Sequence, residues 1–117
     1  LAVGDDVKGV LDMARPLMAL YVGGMGAVGQ NFYNALITRY GYEEEAKQIQ
    51  ELYLAGKKEE AAAAIPTELL EHTNLVGPEG YVKERIAAYK EAGVTVLNVT
   101  PFDADQPALI EKVKGWL

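Results

Sequence analysis

Val94-Thr95-Val96-Leu97-Asn98-Val99-Thr100 is the stretch on which the fold turns. It is β-branched or apolar at both odd and even positions, which suits a strand buried on both faces of a parallel sheet. Pro101 stops it. Upstream, residues 78–92 place Val82, Ile86 and Tyr89 on one helical face, and Gly93 ends that helix. Downstream, Asp103 or Asp105 is placed to cap a helix with Leu109, Ile110, Val113 and Trp116 inward. The short apolar run Leu75-Val76 before Gly77-Pro78 supplies an earlier strand. Strand, helix, strand, helix is a β/α unit over residues 75–117. One central strand cannot satisfy its own backbone groups, so this unit needs neighbours that the rest of the chain hardly supplies.

Residues 1–74 read as mainly helical. Val7, Val10, Leu11, Ala14, Met18 and Tyr21 recur at three and four residues and describe one buried helical face, which Asp5 or Asp6 would cap. Pro16 removes a backbone donor inside that pattern, so the helix kinks over residues 12–15 or two helices meet there. Gly23-Gly24-Met25-Gly26 ends the segment in a glycine-rich mobile loop reaching Gln30. Asn31 then caps a helix with Phe32, Tyr33, Leu36, Ile37 and Tyr40 inward and Gly41 as its stop. A third helix over residues 42–55 turns Ala46, Ile49, Leu52 and Tyr53 inward. A short fourth helix over residues 57–64 ends at Pro66, and one more turn follows to His72.

Composition narrows the function. The chain has 117 residues, 50% hydrophobic and 24% charged, as in an ordinary globular protein. The absence of cysteine removes disulfides, thiolate metal sites and cysteine nucleophiles, and a single His72 argues against a histidine metal site. A net charge of −6 with scattered basic residues opposes nucleic-acid binding. The longest apolar stretch, residues 17–28, is broken by glycines and falls short of the roughly 20 residues of a membrane span. No signal peptide is visible, and a cytoplasmic location is expected. The chain opens on Leu1 rather than Met, reading as the tail of a strand entering a helix cap, so an upstream segment is expected.

Several blocks become informative together: Arg15-Pro16-Leu17-Met18-Ala19-Leu20-Tyr21-Val22-Gly23-Gly24-Met25-Gly26, then Asn31-Phe32-Tyr33-Asn34, then Arg39-Tyr40-Gly41-Tyr42. They continue through Ile49-Gln50-Glu51-Leu52-Tyr53-Leu54 with Gly56-Lys57-Lys58, then Leu75-Val76-Gly77-Pro78, and Glu91-Ala92-Gly93-Val94-Thr95 running into Leu97-Asn98-Val99-Thr100-Pro101. In this order the chain resembles the C-terminal region of F420-dependent luciferase-like oxidoreductases. The resemblance implies an α/β fold, the C-terminal portion of a (β/α)8 TIM barrel of the luciferase-like type, locally helix-rich with one clear buried strand. It further implies coenzyme F420, or FMN as the alternative, exchanging a hydride with a small organic substrate. A barrel takes about 250 residues and draws its site from several βα loops, so the chain alone is expected to be inactive and to self-associate as a homo-oligomer.

The candidate site residues each carry two readings. Gly23, Gly24 and Gly26 could let backbone approach a cofactor phosphate; because they follow a helix rather than a strand, a helix stop with a flexible lid is the plainer reading. Asn31, Phe32 and Tyr33 could line a substrate pocket, with the rings against a planar group, or be helical core. Arg39 could pair with an anionic group or simply end a helix in solvent. Asn98 and Thr100 stand where a barrel strand presents side chains to a site. His72 reads as a surface residue, Glu43-Glu44-Glu45 as a solvated helix start, and no catalytic acid/base pair stands out. A helical interaction module is the competing class, since residues 46–66 faintly resemble one tetratricopeptide hairpin, but a stable stack needs at least three.

Overall fold

The structure, a computed structural model, describes residues 1–117. The chain divides into two compact units, one made of Leu1–Val10 with Glu71–Leu117 and the other of Leu11–Leu70.

The first unit holds a small parallel sheet. Strand β1 (Ala2–Val3) pairs with β2 (Val76–Gly77), Ala2 opposite Val76 and Val3 opposite Gly77. The flanking bonds Ala2 N to Leu75 O (2.8 Å) and Gly4 N to Gly77 O (2.9 Å) extend the ladder. Two helices belong with it, α6 (Glu79–Glu91) and α7 (Gln106–Lys114). Their i, i+4 pairs Val82/Ile86 and Leu109/Val113 form one cluster with Leu75, and Leu1, Val3, Tyr89, Val99 and Trp116 pack against it. Burying each such aliphatic side chain stabilises the unit by about 1.5–3 kcal/mol. Of the two candidate caps, Asp105 accepts the bond from Ala108 N at 3.0 Å, while Asp103 accepts from Asp105 N at 2.8 Å.

The expected buried strand over residues 94–100 is not there. These residues form no regular strand; Val94, Val96 and Leu97 are exposed, and only Val99 of the stretch is partly buried. Only the far end pairs: the Leu1 ammonium donates to Thr100 O (2.8 Å) and Phe102 N donates to Leu1 O (2.8 Å), the slanted pattern of a parallel ladder. That pairing uses the edge of β1 opposite β2. β1 therefore stands between β2 and the C-terminal segment, whereas consecutive barrel strands would place that segment beside β2. A strand is made by its neighbours, and β-branched composition does not form one without them.

The second unit is helical. Helix α1 (Val7–Ala19) enters it and continues as a π-helical segment, Leu20–Gly24. Then come α2 (Phe32–Arg39), α3 (Glu43–Leu54), α4 (Lys58–Ala63) and α5 (Thr67–Thr73), whose last residues from Glu71 belong to the first unit. Asp6 caps α1 through Gly9 N at 3.0 Å. α1 runs through Pro16 as one helix, so the alternative of two helices meeting there is excluded; its change of hydrogen-bond spacing comes at Leu20 instead. Gly41 (φ 99°) and Gly56 (φ 83°) take the left-handed conformation that ends α2 and α3, as their positions predict. The core is Leu11, Ala19, Val22, Ile37, Ala46, Ile49, Ala61, Ile65, Leu69 and Leu70. The expected inward face of α2 is corrected: Ile37 is buried, but Phe32 is 71% and Tyr40 60% exposed.

Candidate functional site

Gly23, Gly24, Gly26, Asn31, Phe32, Tyr33 and Arg39 lie in the second unit, on the π-helical segment or after it, while Asn98 and Thr100 lie in the first. A π-helix bonds at i+5 and is rare, occurring mostly as single turns, frequently at functional sites. Here side-chain amides collect its carbonyls. Asn31, buried at 4% exposure, donates from Nδ2 to Tyr21 O (3.0 Å) and Val22 O (3.1 Å), while its Oδ1 caps α2 through Asn34 N (3.0 Å). Asn34 Nδ2 donates to Val22 O (3.0 Å) and to Ala46 O (2.8 Å), joining the π-helical segment to α3. Gln50, also buried, reaches Gly26 O at 3.5 Å. Asn31 thus faces inward and holds backbone.

The glycines are explained by Tyr53 of α3. A β-carbon on Gly23 would lie 2.5 Å from Tyr53 Cβ, and one on Gly24 would meet the same ring. A β-carbon on Gly26 would lie 2.8 Å from Gln30 O. The expectation that all of these glycines lie in a mobile loop is corrected: Gly23 and Gly24 remain helical and tightly packed, and the irregular segment begins at Met25. Tyr21 and Tyr33 meet edge to face at 4.7 Å between ring centroids, and Phe32 meets Tyr33 in the same manner at 5.4 Å. Phe32 and Tyr33 keep ring surface in solvent, and Arg39 is exposed in the last turn of α2. An aromatic edge and a cation on one short helix can meet a planar anionic group.

The first unit offers a different hollow. Because β1 and β2 are parallel, both run out at the same edge, the edge where open α/β sheets bind ligands. A cavity of about 310 Å³ is lined by Val7, Glu71, Val76, Gly77, Pro78 and Tyr81. Gly77 is required there, since a β-carbon would lie 2.6 Å from Tyr81 Cδ1. Sequence reasoning assigned no site role to Tyr81 or Glu71; the usable signal was the strand-to-helix turn at Gly77-Pro78. A smaller cavity of about 200 Å³ involves Val3, Asp103, Asp105 and Lys112. Asn98 is exposed in the irregular segment, His72 is on the surface as expected, and no group of three or more His, Asp or Glu side chains converges on a metal position.

No helix is long and apolar enough to cross a membrane. Comparison with known proteins gives two matches that agree. Residues 1–96 match the luciferase-like monooxygenase family. A protein of Mycobacterium tuberculosis that carries the name of a coenzyme F420-dependent oxidoreductase is 36% identical over 106 residues, covering 91% of this chain. The chain spans 30% of that relative's length. No solved structure matches it.

Proposed function

Because the chain belongs to the luciferase-like monooxygenase family, we propose that it is the C-terminal part of a (β/α)8-barrel oxidoreductase acting between coenzyme F420, or FMN in its place, and a small organic substrate. The family match over residues 1–96 is the observation that carries this reading, and the name of the M. tuberculosis relative favours F420. When bound, the deazaflavin or flavin supplies or accepts the hydride.

The residues present fit such a group in part. Phe32 and Tyr33 leave aromatic surface for a planar ring, and Arg39 is available to an acidic substituent. Asn31 acts at one remove, holding the π-helical segment that sets Tyr21 against Tyr33. Tyr53 occupies the space beside Gly23 and Gly24, so their contribution is to shape the turn, leaving backbone from Gly26 onward for contact with a cofactor.

A hydride donor and acceptor must be held in near-attack geometry by groups from several loops. With 30% of the relative's length, this chain supplies a share of those groups and has no turnover by itself. Titration of F420 and of FMN into the chain, followed by quenching of cofactor fluorescence, tests the reading together with an assay for oxidation of the reduced cofactor. Weak saturable binding without turnover is expected. Turnover overturns the incomplete-site reading, and no binding of either cofactor overturns the assignment of the aromatic surface.

A further inference from the structure

The carbonyls at the end of the π-helical segment have two alternative sets of donors. In the structure Tyr21 O accepts from Asn31, and Val22 O accepts from both Asn31 and Asn34. In an α-helix carried one turn further, the same oxygens would accept from Met25 N and Gly26 N, four residues on. A carbonyl has two lone pairs, and both of Val22 O are taken, so Gly26 N can bond it only once an amide lets go. Gly26 N makes no backbone bond as it stands. Its carbonyl is held only by Gln50 Nε2 at 3.5 Å, beyond the range of a strong bond. Tyr53 lies across both Gly23 and Gly24, so the turn can rotate beneath it with no β-carbon of that pair in the way.

We infer that residues 20–26 are an element with two registers: a π turn latched by Asn31 and Asn34, and an α-helix extended through Gly26 when the amides release. The latched register holds two bonds from Asn31 and one from Asn34. The extended register replaces them with backbone bonds but must keep Gly23, Gly24 and Gly26 helical. Each glycine disfavours a helix roughly fivefold against alanine, so the latched register is the major one. Extension draws Gly26 out of the irregular segment that begins at Met25. The backbone proposed for cofactor contact, from Gly26 onward, is therefore presented in the latched register alone. A ligand on that backbone shifts the balance toward the latch, by as much as it prefers that register. This purpose rests on the proposed function; the existence of the two registers does not.

Asn31→Asp separates the latch from the cap. It keeps the oxygen that caps α2 and removes the donor to Tyr21 O and Val22 O. Relaxation-dispersion NMR on the whole chain, without ligand, reads the minor register at residues 23–27. A minor state with helical Cα shifts at Met25 and Gly26 is expected. Its ratio to the latched state should rise roughly 10- to 100-fold in Asn31→Asp, for the two bonds lost. Gly26→Ala decides the matter if Asn31→Asp does not fold. Its β-carbon would lie 2.8 Å from Gln30 O in the latched register, and alanine favours the helix, so it too should raise the extended population. Irregular shifts at Met25 and Gly26 with no exchange in the folded variants overturn the two registers. F420 added to the unsubstituted chain should lower the extended population. An extended population unchanged at saturating F420 overturns the link to the cofactor and leaves the registers standing.

Discussion

The ring of Tyr53 lies against Gly24 on the face where any other residue would carry its β-carbon. The two are far apart in sequence, and the contact joins the π-helical segment to α3. Gly24→Ala is expected to destabilise the chain by about 1–3 kcal/mol through overpacking. In Tyr53→Ala the same alanine should cost much less. Urea denaturation of the two single variants and the double variant measures this coupling; additive effects would show that the glycine serves another purpose.

Asn34 is the second tie between these elements. Replacing it with alanine removes the donors to Val22 O and Ala46 O and should cost about 2 kcal/mol, near 1 kcal/mol for each bond. Asn34→Asp should be worse, because it turns an acceptor toward two carbonyl oxygens. Equal stability of the Asp and Asn chains in urea would contradict the bonding described.

Glu79 gives the first unit a pH dependence. Hydrogen bonds from Lys112 and then Lys83 lower its carboxyl from 4.5 to about 2. Since the folded value lies below the unfolded one, the stabilisation is complete above about pH 4.5 and is lost as pH falls toward 2. Both partners stand 2.6 Å away with their side chains partly exposed, so the effect is small and sensitive to salt. Carboxyl NMR should show Glu79 titrating near 2, and Glu79→Gln should flatten the acid limb of the stability curve. Titration at an ordinary glutamate value would count against the pairing.

How much of this was legible in the sequence depended on range. Helices with local signals were readable: Asn31 and Asp105 cap where expected, and Gly41 and Gly56 stop their helices. Val82, Ile86, Leu109 and Val113 were placed in the core by periodicity alone. Residues 94–100 failed for the opposite reason, since their strand content is real but strand pairing reaches this part of the chain only from Leu1, at Thr100 O and, just beyond, at Phe102 N. The π-helical segment was invisible because the groups that stabilise it, Asn31, Asn34 and Tyr53, come from later helices. The same residues explain why the glycines read as a loop: nothing local reveals a ring arriving from α3.

The claim that this chain carries part of a cofactor-contact surface is tested most directly by mapping F420 onto it by NMR. The account predicts shifts gathered at Phe32, Tyr33, Arg39 and the backbone from Gly26 to Gln30, with little change at β1, β2 or α7. Shifts confined to the first unit, or none at saturating F420, would contradict it.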